Sequence, residues 1–408
     1  MHPMYESEFS PWPCFTIEET EAVQRVLLSN KVNYWTGSEC RAFENEFAVW
    51  AGTQYAVAVA NGTLALDVAL KALNINSGDE VVVTPRTFIA SVSCVVNSGA
   101  NPVFAEVDAD SGNITAETIK AVLTPRTKAV ICVHLAGWPC DMDPIMALAN
   151  EYGLKVIEDC AQAHGARYKG RSVGSIGHVG AWSFCQDKIM TTGGEGGMVT
   201  TSDEAIWLKV WSFKDHGKNY EAVYKRQHPP GFRWLHESFG TNWRMLEMQA
   251  VLGRIQLKRM NSWTEARGRN TNSILQICKK FPSLHVSSFK CDSCEVRCSY
   301  LGGGQGCVHA NYKCYVYVRP EKLSVGWNRD RIIREINTLG VPCYQGSCSE
   351  VYLEKAFDKT GWRPKKRLPV AKELGETSIM FLVHPTLSKD EIKKTCDVIE
   401  HVMNCSSN

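Results

Sequence analysis

Seven short apolar runs recur between residues 56 and 200 with helical stretches between them, and most are apolar throughout rather than alternating. They read "YAVAVA", "EVVVTP", "NPVFAEVD", "KAVICVHLAG", "LKVIEDCA", "GAWSF" and "GMVTTS". A strand with one wet face alternates polar and apolar residues, whereas a strand buried on both faces does not. The expected fold is therefore α/β, with a mostly parallel or mixed central sheet flanked by helices. One of the intervening stretches, "TLALDVALKAL", is apolar except for Asp67 and Lys71, four apart, which reads as a buried helix with a thin polar stripe.

The texture changes near residue 255. The amphipathic "EMQAVLGRIQLKRMNSWTEARGRNTNSILQI" reads as one long helix, followed by a Cys- and Gly-rich stretch. An alternating "YKCYVYV", a helical "NRDRIIREINTLG" and a terminal helix from Lys389 then suggest a smaller α+β domain. At 408 residues the chain suits a large domain, 1–255, and a small C-terminal domain, 256–408. The basic "RPKKRLP" at 363–369 reads as a solvated loop.

Composition excludes several classes. A net charge of +2 gives no broad electrostatic footprint for nucleic acid or an anionic membrane, so any basic site is local. No run of about 18 apolar residues could span a bilayer, and the amino-terminal "MHPMYESEFSPWPC" lacks the apolar core of a signal peptide, so a cytoplasmic location is expected. Many of the 17 cysteines, such as Cys94, Cys132, Cys160 and Cys185, lie inside apolar patterns, as buried free thiols do.

Polar residues cluster where the runs end: Asn61, Gly62 and Thr63 after one, Thr87 and Phe88 after another, then His134, Asp159 with Gln162, and Ser183. In open α/β sheets ligands bind beyond the carboxyl ends of the strands. Asp159, closing a buried strand, could meet a protonated pyridine nitrogen or cap a helix over "CAQA". "NGTLAL" could hold a phosphate at a helix N-terminus, with the Ser183 hydroxyl nearby, or be an ordinary capped turn. Phe88 could lie against an aromatic cofactor or in the core.

Lys188, in "SFCQDKIMTTGGEGGM", decides among these. A lysine in a Gly-rich loop after a strand could form an imine with an aldehyde cofactor and then shuttle protons. A P-loop places its glycines before Gly-Lys-Ser/Thr, whereas here they follow the lysine, and no Gly-x-Gly-x-x-Gly opens a helix after a strand.

With these residues in view, the chain resembles the DegT/StrS family of pyridoxal-phosphate sugar aminotransferases of fold-type I. The resemblance runs through "YWTGSECRAFENEFAVWAGTQYAVAVANGTLAL", "GDEVVVTPRTFIAS", "GANPVFAEVD", "TKAVICVHLAGWPCDMDPI", "VIEDCAQAHGARYKGRSVGSIGHVGAWSF" and "GTNWRMLEMQA". It implies that Lys188 is the Schiff-base lysine, that Asp159 pairs with the pyridine nitrogen, and that Gln162 lies near the phenolic oxygen. It further implies that Phe88 stacks on the ring, that Gly62, Thr63 and Ser183 hold the phosphate, and that Asn242 reaches that phosphate from the other subunit of a homodimer with shared active sites. The implied reaction moves nitrogen from L-glutamate to a keto group of a nucleotide-linked deoxysugar by ping-pong transamination, in amino-sugar biosynthesis for surface polysaccharide, O-antigen or glycosides. His216, Lys218, Tyr220 and Arg233 are candidates for the sugar or its diphosphate.

The stretch with Cys291, Cys294, Cys298 and Cys307 departs most from the family pattern. Its first spacing would suit zinc and the set could suggest an iron–sulfur cluster, but the second ligand pair is too irregular for a zinc site, and no metal is expected. Relatives that dehydrate deoxysugars replace the lysine with histidine, so Lys188 favours transamination over dehydration. Retention of Lys188, Asp159 and Ser183 together argues against a silent sugar-nucleotide-binding regulator on the same fold.

Overall fold

The protein, described here by a computed structural model, is defined over residues 9–287 and 306–406. All seven apolar runs form strands of one sheet: β1 (Tyr55–Val59), β2 (Glu80–Val83), β3 (Asn101–Phe104), β4 (Thr127–Val133), β5 (Lys155–Asp159), β6 (Val179–Ser183) and β7 (Gly197–Thr201). Their order is β1-β7-β6-β5-β4-β2-β3. Only β7 runs antiparallel to its neighbours.

The side chains explain why these runs are apolar throughout. Val57, Val59, Val81, Val83, Ile131, Ile157, Ala181 and Val199 point into one core, packed by the Gly62–Ala72, Ala90–Asn97 and Glu204–Phe213 helices. Their sequence neighbours Ala58, Val82, Val130, Val156, Trp182 and Met198 point into cores on the other side, under the Glu39–Ala51 and Met142–Tyr152 helices. With period two, a strand covered on both faces has no wet position left.

The long amphipathic segment is a single helix, Glu247–Cys278. Its first half packs on the Glu39–Ala51 helix, where Gly253 approaches Phe43 so closely that a Cβ would lie 2.5 Å from the ring. Its second half supplies Ile274, Leu275 and Cys278 to the small core. The boundary expected after residue 255 therefore lies inside a helix that serves both parts. The small sheet comprises β8 (Leu284–His285), β9 (Cys314–Val318), β10 (Cys343–Tyr344) and β11 (Ser378–Phe381), antiparallel, in the order β8-β9-β11-β10. The Arg329–Thr338 and Lys389–Ser406 helices cover it.

The amino-terminal residues also join the small part, since the Ser10 hydroxyl donates to Glu391 at 3.1 Å and Phe9 packs on the small core. Cys291, Cys294 and Cys298 lie outside the described residues, and Cys307 is buried. Cys94, Cys132 and Cys160 are buried free thiols, while Cys185 is half-buried. Among the described residues no helix is long and apolar enough to cross a membrane.

Candidate active site

Strand register assembles the site. Val59, Gly197 and Ser183 share one row across β1, β7 and β6, and Asp159 pairs with Ala181, two residues before Ser183. The ends of β1, β5 and β6 thereby open on one edge. At the first, Asn61 caps the Gly62–Ala72 helix, its Oδ1 accepting from the Leu64 N–H at 3.0 Å. Gly62 packs directly on Ser183: a Cβ there would lie 2.5 Å from Ser183 Cβ and 2.9 Å from its Oγ. Thr63 is exposed on the first turn. A side chain at position 62 would fill the cradle between the helix N-terminus and the Ser183 hydroxyl, where an anion is favoured.

Asp159 is 6% exposed. Its Oδ2 accepts from Ser91 Oγ at 2.7 Å, and Ser91 in turn meets Thr87 Oγ1 at 2.8 Å. Its Oδ1 accepts the Ala161 N–H at 3.1 Å in an Asx turn, and residues 160–166 form turns, so the helix-cap reading of Asp159 is set aside. Phe88 is 67% exposed, which removes the core alternative for that ring. Gln162 Oε1 accepts the Ala136 N–H at 2.8 Å, pinning a left-handed residue (φ 55°) at the end of β4.

Lys188 sits between the Phe184 end of β6 and the buried trio Ile189, Met190 and Thr191. Thr191 is held by Gln256 Oε1 on its N–H (2.9 Å) and by its own hydroxyl on Phe184 O (2.9 Å). The glycines fold this loop onto itself: Gly193 and Gly194 are left-handed (φ 86° and 116°), and a Cβ on Gly196 would lie 2.0 Å from Thr192 Oγ1. Gly197 makes the close backbone approach, to the Asn61–Gly62 peptide.

The Lys188 side chain is 17% exposed, with Nζ 3.8 Å from Asp187 Oδ1 and 5.3 Å from the centre of the Tyr312 ring. The Tyr312 hydroxyl donates to Asp187 Oδ2. Burial pushes the Asp187 carboxyl up, but Lys188 and Tyr312 together hold it below its ordinary value. Trp12 Nε1 donates to the Lys188 carbonyl at 2.8 Å, strapping the amino-terminal segment over the loop. His164, fully buried against Trp182 and Phe184, has its pKa pressed down to about 3 by burial, Lys188 and Arg267. Tyr312, Trp12, Asp187 and His164 carried no signal in the sequence beyond their residue types.

The remaining candidates are dispersed. Lys218 Nζ is bound to Asp215 Oδ1 at 2.8 Å and lies over the Trp35 ring at 4.3 Å. Tyr220 packs among Trp207, Trp211 and Tyr224. Both side chains are engaged in scaffold contacts. His216 (φ 60°) and Arg233 are exposed. Asn242 is exposed in a segment tied to the end of β1, since the Ala60 N–H donates to Trp243 O at 2.9 Å.

Residues 13–400 match the DegT/DnrJ/EryC1/StrS aminotransferase family. Among sequence relatives, GDP-perosamine synthase of Escherichia coli O157:H7 is 39% identical over 279 residues, 66% of this chain and 72% of that protein. A dTDP-3-amino-3,6-dideoxy-alpha-D-galactopyranose transaminase of Aneurinibacillus thermoaerophilus is 30% identical over 384 residues, 94% of each. Among solved structures, an aminotransferase from Psychrobacter cryohalolentis is 66% identical, with 97% of this chain and 99% of that chain covered and a TM-score of 0.93.

Proposed function

The chain belongs to the DegT/DnrJ/EryC1/StrS aminotransferase family, and from that premise we propose that it transfers an amino group from L-glutamate to a keto group of a nucleotide-linked deoxysugar. The observation that supports this reading is the one sheet edge on which Asp159, Ser183 and the Gly62–Ala72 helix N-terminus open and from which the Lys188 loop leaves β6. The family implies pyridoxal phosphate, and the residues fit it: a cradle that any Cβ would fill, a strand-end carboxylate, an exposed aromatic face and one primary amine. When bound, the cofactor supplies an aldehyde and an electron-accepting ring.

The chain's own residues do the rest. Ser183 Oγ, Thr63 and the N–H groups opening the Gly62–Ala72 helix hold the phosphate. The Asp159 carboxylate, fixed by Ser91 and Ala161, retains a proton on the ring nitrogen. Phe88 would cover one ring face, and Gln162, anchored on Ala136, would face the phenolic oxygen. Lys188 Nζ would hold the aldehyde, then remove and return the proton at the donor's α-carbon. Asn242 completes the phosphate site of a partner subunit in a two-fold dimer. Arg233 and His216 are the exposed candidates for the sugar diphosphate, with Lys218 and Tyr220 supporting the same segment.

The test separates the half-reactions. Protein loaded with pyridoxal phosphate and given glutamate alone should release one 2-oxoglutarate per active site and stop, the stoichiometry of a ping-pong first half. Adding nucleotide-linked 4-keto or 3-keto sugars should restart release with one of them. Consumption of such a sugar without 2-oxoglutarate would overturn the reading in favour of dehydration.

A further inference from the structure

Beside the Lys188 site lies a small cavity between the two parts of the molecule. The segments after β3 and β4 contribute Asp110, Ser111, Leu135 and Ala136, and the small part contributes Thr271, Lys313 and Tyr315. Ala136 connects it to the site, since its N–H is held by Gln162 and its carbonyl accepts from the Tyr312 N–H at 3.0 Å. The Tyr312 ring is shared, with Lys188 Nζ 5.3 Å and Lys313 Nζ 5.0 Å from its centre.

The charge balance here is unusual. Lys313 is half-buried, and among the described residues its Nζ makes no hydrogen bond or ion pair. Thr271 is 2% exposed, lines the cavity, and its hydroxyl has no partner among the described residues. One turn earlier on the same helix, Arg267 is 1% exposed, and its Nε and Nη2 have no partner among the described residues. Its Nη1 reaches only carbonyl oxygens, Tyr312 O at 3.2 Å and Asn311 O at 3.4 Å. Burial, then Arg267, brings the Lys313 amine down to about 8. The nearby acids are engaged: Asp187 with Tyr312 and Lys188, Asp110 with His285 at 3.1 Å. Buried donors and cations without acceptors are costly until an anion meets them.

Size narrows the class of anion. The cavity leaves about 20 Å³ for the centres of water-sized groups, and one water needs roughly 10–15 Å³ by that measure. A carboxylate head fits, and a sugar or nucleoside diphosphate does not.

We propose that this cavity receives the distal carboxylate of the amino donor, with Lys313 Nζ and Thr271 Oγ1 as its hydrogen-bond donors, so that the enzyme selects an acidic amino acid over a neutral one. The proposal rests on the aminotransferase reading above. It adds the residues and the chemistry by which the donor is chosen.

Two measurements test it. Glutarate, a dicarboxylate without an amine, is titrated calorimetrically into the loaded wild type and into Lys313→Met and Thr271→Val. In parallel, KM is measured for glutamate, alanine and the sugar nucleotide. Loss of one charge-assisted hydrogen bond predicts that Lys313→Met weakens glutarate binding and raises the glutamate KM by about 10- to 100-fold, with the alanine and sugar values unchanged. Thr271→Val should raise the glutamate KM by about 2- to 10-fold without lowering Tm, because the hydroxyl has no protein partner to lose. Unchanged glutarate affinity in the folded variants, or an equal rise in KM for alanine, would overturn the site. A wild type that binds glutarate through Lys313 yet transfers nothing from glutamate would refute the aminotransferase reading and leave the carboxylate site standing.

Discussion

Strand β5 ends in two adjacent acids that serve different regions of the molecule. Glu158, on the face toward the Met142–Tyr152 helix, is wholly buried. It accepts from the N–H groups of Gly174 (2.8 Å), Ile176 (2.8 Å) and Gly177 (2.6 Å), and meets His134 Nε2 at 3.0 Å. Asp159, on the opposite face, accepts two hydrogen bonds among the described residues, from Ser91 and Ala161. An ionised carboxylate offers about four lone-pair positions. Glu158 has filled its capacity with scaffold, while Asp159 keeps acceptor capacity at the edge where Lys188 and the Gly62–Ser183 cradle stand. A saturated acid holds the fold, and an unsaturated one is available for chemistry.

The sharpest way to break this contrast is at the site itself. Lys188→Ala should lower turnover by about 10⁴-fold, the upper end of what a positioned acid–base group contributes. Its Tm should be nearly unchanged, since the ammonium makes only a loose 3.8 Å ion pair with Asp187. Substantial turnover in that variant would remove Lys188 from the mechanism. Asp159→Asn comes next, with a loss of roughly 10²-fold in rate. The amide oxygen can still accept the Ala161 N–H while its NH₂ faces Ser91 Oγ, which can turn to accept, but the neutral amide cannot retain a ring proton, and a wild-type rate would reduce Asp159 to a turn residue.

Glu158→Gln should show the opposite pattern. The amide's NH₂ would face N–H donors of the Gly174–Gly177 turn, and removing one partner from a buried charged network costs about 3 kcal/mol or more. Denaturant unfolding should register that loss, while the rate per folded molecule stays near wild type. If the rate fell as far as in Asp159→Asn, the two acids would not be separable into scaffold and site.

These contrasts were partly legible in the sequence, for a physical reason. Burial on both faces suppresses alternation, so all seven strands of the large sheet stood out as apolar runs, and their polar ends pointed to Asp159, Gln162 and Ser183. The different roles of Glu158 and Asp159 were not legible, because strand parity assigns faces only once it is known which face carries the site. Nor were Trp12, Arg267, Tyr312 and Lys313. Trp12 lies 176 positions from the Lys188 carbonyl it contacts, and Tyr312 lies 125 from Asp187. The alternation of "YKCYVYV" announced β9 without saying that the residues just before it face Lys188. Lys218 and Tyr220 stood in a loop that the sequence alone did not place, and their contacts with Asp215 and with Trp207, Trp211 and Tyr224 carried no signal there.

The smallest effect concerns acid, and it sharpens the same division. His164, His309 and His384 are buried, and desolvation brings each ring down to about 3, from 6.5 in the unfolded chain. Below pH 6.5 the unfolded state therefore binds protons that the folded state refuses, and stability falls as pH drops from about 6.5 toward 3. Glu158 acts in a lower window. Burial raises its carboxyl, but His134 and the backbone N–H groups hold it below the ordinary value, so the stability it contributes is lost only as pH falls through that lowered value. Each neutral buried histidine should steepen the loss by about 1.4 kcal/mol per pH unit. His164 isolates one share, because among the described residues neither ring nitrogen has a hydrogen-bond partner and the ring packs between Trp182 and Phe184. His164→Phe should leave stability at pH 7.5 equal to or above wild type and flatten the slope between pH 6 and 4 by about that amount. An unchanged slope, measured by denaturant midpoints across this range, would mean that His164 is already protonated in the fold, and that Lys188 and Arg267 do not exclude a further positive charge from beneath the site.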